Sequence, residues 1–397
     1  MATDLQAAPP PARVAFYNDP KVRSIAYQVG LFVIVALLIY GAVTNAIANL
    51  QRARIASGFG FWDTTAGFDI SQTLIEFNSA TSTYGQAFWV GLWNTLLVAA
   101  LGIVFATILG FAIGIARLSK NWLVAKVATS YVELIRNLPL LLQLLFWYNA
   151  VLKALPDIRD SQKILGGTYL NNRGLFLPEP LAQAGFGYVE IAFALGIVGT
   201  IVFYRWARKR QMATGKQAPV LWVALGLLIG LPLVIFLAAG MPLHFEYPEK
   251  GRFNITGGME ILPEFAALLV GLVVYTAAFI AEVVRAGILA VSHGQTEASY
   301  SLGMRPGPTL RLIIVPQAMR VIIPPLTSQY LNLTKNSSLA VAIGYPDLVQ
   351  IFTGTVLNQT GQAVEVVSIT MLVYLTISLT TSLLMNIYNA RMALVER

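Results

Sequence analysis

The chain has 397 residues, of which 56% are hydrophobic and only 12% are charged, and its mean hydropathy is +0.66. This composition is typical of a polytopic membrane protein, because a soluble domain of this size needs more charge to cover its surface. The formal charge of +8 indicates basic loops on one side of a membrane. The sequence has no basic stretch with interleaved aromatic residues, so we set nucleic-acid binding aside.

Cysteine and histidine chemistry is also excluded. The sequence contains no cysteine, which rules out disulfides, thiolate ligands and cysteine nucleophiles. Its two histidines, His244 and His293, are far apart and have no metal-ligand spacing. We therefore expect neither catalytic residues nor a metal site.

About eight apolar segments are long enough to cross a bilayer, which takes about 20 mostly apolar residues. They lie at 25–48, 88–116, 122–152, 188–205, 219–240, 262–290, 321–344 and 366–388. The segment 321–344 has the weakest apolar pattern, since it contains Pro324, Pro325 and Lys335. The sequence predicts an all-α polytopic membrane protein with about eight transmembrane helices.

The loops between these segments differ in charge and set the orientation. With the N-terminus inside, the inner loops carry about twice as many lysines and arginines as the outer ones. We therefore expect a bacterial inner-membrane protein whose tails, 1–24 and 391–397, are cytoplasmic. The outer loops near 51–87, 153–187 and 241–261 are predicted to be ordered but irregular, and 68–77 is compatible with a short amphipathic helix.

Small residues mark a close helix contact in the second segment. Ala106, Gly110 and Gly114 recur every four residues, a spacing that lets two helix backbones approach. The partner helix is either in the same chain or in a second subunit.

Two pairs of ionisable residues lie within or beside apolar segments. Glu133 and Arg136, and likewise Glu282 and Arg285, are three residues apart and so share one helix face. Ion pairs within each helix are the simpler interpretation. Pairing between helices, where it would hold an inward gate, is the alternative.

A lysine in the seventh segment is unusual, because a central lysine costs roughly 2.5–3.5 kcal/mol in insertion experiments. The neighbouring prolines predict a discontinuous span whose free backbone groups line a cavity. The polar residues here then line a cavity or gate, at Asn332, Lys335, Asn336 and Ser338. A snorkelling lysine or a structural pair explains the same pattern equally well. Attraction of a substrate carboxylate by Lys335 is a hypothesis.

The loop between the sixth and seventh segments has a distinctive local pattern. Gln295 or Thr296 can begin a short helix, Glu297 suits its first turn and Gly303 suits its end. The small residues Ala298 and Ser299 leave room for another surface to approach closely. A stiff helix that contacts a partner and a plain connecting loop are both compatible with these residues.

The same loop resembles the EAA loop of ABC importer permeases: Glu-Ala-Ala, three residues, Gly, nine residues, Ile, one residue, Leu-Pro. This chain has Glu297-Ala298-Ser299, then Gly303, Ile313 and Val315-Pro316. The resemblance implies a coupling helix that sits in a cleft of an ATP-binding subunit. It assigns the contacts with that subunit to Gln295, Glu297, Ala298, Ser299 and Gly303.

Flanking segments resemble the polar amino-acid permeases, the family of histidine, glutamine, glutamate and arginine importers. The matching stretches are 131–143, 275–288 and 335–348, and the resemblance covers roughly 85–150 and 262–390. It implies a type I importer core at 85–152 and 262–390, with the coupling loop at 292–318. The additional segment 25–84 and the insertion 153–261, with a helix pair of its own, resemble the larger permease subunits of general L-amino-acid transporters.

The resemblance implies a permease subunit that moves polar or general L-amino acids inward by alternating access. A separate ATPase would hold ATP and Mg²⁺, a periplasmic amino-acid-binding protein would deliver substrate, and a second homologous permease would complete a heterodimer. The sequence lacks a Gly-x-x-x-x-Gly-Lys-Ser/Thr loop, so we expect no ATPase site and no cofactor on this chain. The alternative is an ion-coupled secondary transporter, for which Glu282 is the one modest intramembrane carboxylate.

Overall fold

The computed structural model describes residues 20–52, 57–251 and 254–392, so most of both predicted tails lies outside the described residues. Eleven helices are assigned within these ranges. They are α1 (Pro20–Arg52), α2 (Tyr84–Ala116), α3 (Trp122–Arg136), α4 (Leu140–Leu152), α5 (Phe186–Thr214), α6 (Val220–Ala238), α7 (Pro263–Leu289), α8 (His293–Ser301), α9 (Pro306–Ile343), α10 (350–360) and α11 (Ala363–Met392).

Seven of these helices are long and apolar enough to cross a membrane: α1, α2, α5, α6, α7, α9 and α11. They confirm the predicted all-α polytopic class and seven of the predicted spans. The eighth predicted span, 122–152, is wrong as a single helix, because the chain breaks between α3 and α4. Asn137 caps α3 and Pro139 begins α4. A proline disfavours the helical conformation of the residue before it, so apolar composition alone could not carry one helix through this point.

The predicted break in the seventh span is also placed differently. Helix α9 begins at Pro306, well before 321, and runs through Pro324 and Pro325 without interruption. It changes instead to a tighter 3-10 turn at Ser337–Ile343, after which Gly344 has a φ of +78°. The polar residues from Asn332 to Ser338 therefore lie at the end of a continuous helix and not at a proline break.

The outer loops contain strands that the sequence did not predict. They are β1 (Gln162–Ile164), β2 (Thr168–Asn171), β3 (Gly174–Leu177), β4 (Glu179–Ala182), β5 (Leu243–Glu246), β6 (Glu249–Lys250), β7 (Ile255–Thr256) and β8 (Met259–Ile261). All pairs are antiparallel: β1-β2-β3-β8 form one sheet in that order, and β4-β5 and β6-β7 form two separate two-stranded sheets. Residues 68–77 are not helical, so the amphipathic helix expected there is wrong.

Helix α7 is the centre of the bundle. It packs against α2 along most of its length and also contacts α3, α4 and α9. One core cluster joins Ala106 of α2, Ile280 and Val284 of α7, and Ile322 of α9. Helix α1 is exposed along its spanning part, and α5 and α6 pack mainly on each other.

The small residues of α2 contact α7 within this chain, which confirms the first of the two interpretations. A Cβ added at Gly110 would lie 2.6 Å from Cβ of Ile280, and one added at Gly114 would lie 2.8 Å from Cβ of Val284. Real Cβ atoms do not approach so closely, so the two backbones meet only because side chains are absent there.

We expect Gly110→Ala to destabilise the bundle by about 1–3 kcal/mol, because α2 and α7 must separate to admit the methyl group. The apparent melting temperature of the purified chain in detergent measures this effect. Gly41→Ala in α1 is the matched control, since nothing lies within 4 Å of its added Cβ. Equal melting temperatures for the two variants would contradict the close contact.

Candidate functional site

The predicted short helix in the loop between two spans is present as α8. It begins at His293, two residues earlier than the earliest predicted start. It ends at Ser301 and is followed by Gly303, whose φ of +75° is one that residues with side chains rarely adopt. The amide of Met304 donates to the carbonyl of Ser299 at 3.1 Å, and that of Gly303 donates to Tyr300 at 2.9 Å. These two bonds form a Schellman motif, which fixes the end of the helix.

Four of the five residues predicted to contact an ATPase lie on the outer surface of this loop: Gln295, Glu297, Ala298 and Gly303. Ser299 does not, and its contact with an ATPase stays a prediction. Its side chain is 1% exposed and its hydroxyl donates to the Thr296 carbonyl at 2.8 Å. It also bonds the Thr309 hydroxyl at 3.0 Å, so Ser299 fastens α8 to the first turn of α9.

The exposed polar side chains of α8 make only weak contacts within this chain. Glu297 Oε1 lies 3.0 Å from His293 Nδ1, but both side chains are at least 70% exposed. Such a pair contributes about 0–1 kcal/mol and can be exchanged for another partner. Gln295 accepts a bond from Gln317 of α9 at 3.3 Å. The charged and polar groups of α8 are therefore available to a second surface.

A cluster of charged residues joins α2, α3 and α7 toward the end of the bundle that carries α8. Glu282 of α7 contacts Arg285 at 3.2 Å on its own helix and Arg136 of α3 at 3.5 Å. It also forms a short ion pair with Arg117, which caps α2. We call these four residues the arginine cluster.

The sequence left open whether the ion pairs form within one helix or between helices, and the arginine cluster contains both kinds. Glu282 pairs within its helix and across helices, whereas Arg136 pairs with Glu282 and, among the described residues, not with Glu133. The Glu133 side chain is exposed. Arg117 is 9% exposed and was missed by sequence reasoning, because it has no acidic neighbour three or four residues away.

Charge in the arginine cluster does not balance. Three guanidinium groups surround one carboxylate, which leaves two positive charges in excess. The ring of Phe279 lies 5.2 Å below the Arg136 guanidinium and partly offsets this. One carboxylate thus holds the ends of three helices together, and its loss would leave the arginines to repel one another.

The polar residues at the end of α9 are not gathered into one group. Asn332 and Lys335 are exposed on the surface of this single chain, and Asn336 is partly buried. The Ser338 hydroxyl donates to the Lys335 carbonyl at 2.7 Å. Within the part of the chain that the structure describes, the Lys335 ammonium forms no ion pair. A cavity lining and a snorkelling lysine both remain predictions.

A buried carboxylate follows this helix end, in the 335–348 stretch, and sequence reasoning had given it no role. Asp347 is fully buried, accepting from the Gln350 amide at 2.8 Å and from the Tyr374 hydroxyl at 3.1 Å. Burial raises the pKa of Asp347 to about 7, although these bonds lower it. Its position before a helical segment was the available signal, since Asp is a preferred N-cap.

The backbone around Asp347 is fixed to α2. The Thr95 hydroxyl accepts from the Leu348 amide at 3.0 Å, and the Asn94 side chain donates to the Pro346 carbonyl at 2.8 Å. The segment from the end of α9 to α10 is therefore a rigid part of the core.

Comparison with known proteins gives matches along nearly the whole chain. The model of the family described as "binding-protein-dependent transport system inner membrane component" matches residues 212–394. The general L-amino acid transport system permease protein AapQ of Rhizobium johnstonii is 54% identical over 385 residues, which cover 97% of this chain and 96% of that one.

Two further relatives match over similar lengths. The putative amino-acid ABC transporter permease protein YhdX of Escherichia coli is 52% identical and covers 96% of this chain and 97% of its own. The glutamate/glutamine/aspartate/asparagine transport system permease protein BztB of Rhodobacter capsulatus is 43% identical and covers 96% of both.

These matches support an ABC permease over the ion-coupled alternative and include the N-terminal span and the insertion. The resemblance to the larger permeases of general L-amino-acid transporters is thereby confirmed. The protein is a transport subunit of the inner membrane, and it belongs to the family of amino-acid ABC importer permeases.

Proposed function

We propose that this chain moves polar L-amino acids inward, that a separate ATP-binding subunit drives it, and that α8 is the coupling helix. The observation that carries the proposal is the geometry of α8: a short exposed helix with a fixed end, tied by Ser299 to α9. The names of AapQ and BztB, a general L-amino-acid permease and a glutamate/glutamine/aspartate/asparagine permease, support polar amino acids as substrates.

The proposed partners follow from what this chain lacks and what its family does. The sequence has no phosphate-binding Gly-x-x-x-x-Gly-Lys-Ser/Thr loop, so ATP and Mg²⁺ belong on the ATPase and this chain carries no cofactor. A periplasmic binding protein delivers the amino acid. A second homologous permease forms the other half of the pathway.

The proposed orientation puts both termini and α8 in the cytoplasm. The excess of lysine and arginine in the loops on that side supports it. The proposed core consists of 85–152 and 262–390, and 25–84 and 153–261 are additions to it. The pairing of β3 with β8 supports the insertion as a separate unit, because it brings the chain before residue 178 next to the chain after residue 258, and most of the insertion lies between these two points.

The proposed mechanism is alternating access. Closure of two ATPase subunits moves α8, and the Ser299–Thr309 bond passes this motion to α9, which packs on α7. Helix α7 carries Glu282, which pairs with Arg117 at the end of α2 and with Arg136 at the end of α3. When α7 moves, these two helix ends either move with it or lose their ion pairs with Glu282. The arginine cluster is therefore the proposed inward gate, with Glu282, Arg285 and Arg136 as gate residues.

Lys335 is the proposed contact for a substrate carboxylate. We expect Lys335→Met to raise the half-saturating amino-acid concentration for uptake by up to about fivefold, since one exposed charge pair contributes up to about 1 kcal/mol. Uptake of labelled glutamate by cells that depend on this chain measures the effect. Lys335→Arg, which keeps the charge, is the control. Unchanged uptake by Lys335→Met would reject the assignment.

The function is tested by purification of this chain from its native membranes in mild detergent, followed by mass spectrometry of the proteins that accompany it. We expect an ATPase with a phosphate-binding loop and a second permease. Recovery of the chain alone, still competent for uptake driven by an ion gradient in vesicles, would contradict the proposal.

A further inference from the structure

A groove with a basic mouth lies at one end of the helix pair α5–α6. It is open to the surface, has a volume of about 920 Å³ and is lined chiefly by α5, with Val220 of α6 as a further lining residue. The residues used below are Ile201, Tyr204, Arg205, Arg208, Lys209 and Met212. We call this surface the basic groove.

Three cations lie together on one face at the mouth of the basic groove. Arg205, Arg208 and Lys209 have the spacing i, i+3, i+4, which puts them side by side on a helix. All three are exposed, and none forms an ion pair within the described ranges 20–52, 57–251 and 254–392. The sequence has no Asp or Glu between 191 and 240, so no carboxylate of this helix pair neutralises them.

A neighbouring arginine is used differently. The guanidinium of Arg210 lies 5.3 Å above the ring of Trp206, and Arg210 does not line the basic groove. The basic residues at this depth are therefore not equivalent: those on one face of α5 line the groove, and Arg210 does not. Arg210 provides a control of the same charge at nearly the same depth.

The depth of these cations matches the headgroup region of a bilayer. At 1.5 Å per residue, Arg205 lies ~29 Å and Lys209 ~35 Å along the axis from Phe186, the first residue of α5. The hydrocarbon core is about 30 Å thick, so the three cations lie at its boundary, where lipid phosphates are found.

Below the cations the groove becomes apolar. Ile201 of α5 lies one turn deeper than Arg205, whereas Met212 and Val220 line the groove at its opposite end, beyond the cations and next to the loop between α5 and α6. An occupant therefore needs an anionic group at the mouth and an apolar chain that follows the wall past Ile201. We propose that the basic groove binds one anionic phospholipid, with its phosphate on Arg205, Arg208 and Lys209 and an acyl chain against α5. The site lies in the insertion and does not depend on the transport proposal.

The test is a titration of the purified full chain with phosphatidylglycerol and with phosphatidylethanolamine, read by native mass spectrometry. We expect phosphatidylglycerol to bind at least tenfold more tightly. Each cation contributes about fivefold in affinity near a membrane surface, so the variant R205Q/R208Q/K209Q should lose about 100-fold. Arg210→Gln should stay within twofold of the unaltered chain.

A second variant separates a built site from diffuse attraction. Ala213→Trp places an indole in the groove and keeps every cation, and it should weaken phosphatidylglycerol binding at least tenfold. Unchanged binding by Ala213→Trp or by the triple variant would overturn the proposal. So would equal losses for Arg210→Gln and Arg208→Gln. Complete displacement of the lipid by millimolar inorganic phosphate would identify a phosphate site without an acyl chain and would also overturn it.

Discussion

Replacing Glu297 by Arg should abolish ATP-driven amino-acid uptake while the chain still inserts in the membrane at its normal level. Glu297 is exposed on α8, and only His293 contacts its carboxylate among the described residues. If α8 sits in a cleft of the ATPase, a reversed charge at its centre costs several kcal/mol of association free energy. At 1.4 kcal/mol per factor of ten, the expected fall in uptake exceeds tenfold.

The measurement is uptake of labelled glutamate, together with the amount of ATPase that co-purifies with the variant. Lys216→Glu, a charge reversal in the exposed loop between α5 and α6, is the control and should leave uptake unchanged. Normal uptake and normal ATPase recovery with Glu297→Arg would remove α8 from the coupling role.

Glu282→Gln should destabilise the bundle and reduce uptake, because it leaves three arginines without their carboxylate. Removing one partner of a buried ion pair costs about 3–5 kcal/mol. The Glu282 side chain is 31% exposed, and solvent weakens the effect, so we expect a loss of unfolding free energy below that range, about 2 kcal/mol. Arg117 is the main cause, since its guanidinium is nearly buried.

The apparent melting temperature in detergent measures the change in stability, and a double variant tests its cause. Adding Arg117→Met to Glu282→Gln should recover part of the loss, because Arg136 and Arg285 are exposed enough to be hydrated. Glu133→Gln, which removes an exposed carboxylate of α3 outside the cluster, should leave the melting temperature unchanged. No recovery in the double variant would show that Arg117 is not the group left unpaired.

The spans could be predicted because they depend on local composition. An apolar run of sufficient length must be helical in a bilayer, and seven of the predicted runs are. The failure at 122–152 came from the same rule, since composition does not register what Pro139 does to the preceding backbone. The strands escaped prediction because they have two to four residues and β3 pairs with β8, far along the chain.

In the candidate site, too, local features could be predicted from the sequence and contacts between distant residues could not. The pattern from Glu297 to Gly303 is continuous in sequence, so the short helix could be placed to within two residues. The burial of Ser299 depends on where Thr309 lies, and that is a tertiary fact. The Arg117–Glu282 pair joins residues 165 positions apart, which no local spacing indicates.

The pairing of β3 with β8 has a consequence for how this chain can be altered. Leu177 and Met259 are opposite each other in that ladder, so the 178–258 segment leaves and re-enters at neighbouring backbone positions. Closing this point needs only a two-residue turn of the kind that joins ordinary antiparallel strands. The helix pair α5–α6 is thus a removable cassette: a shortened chain would keep the ladder and the α7 bundle and would lose the basic groove in one step.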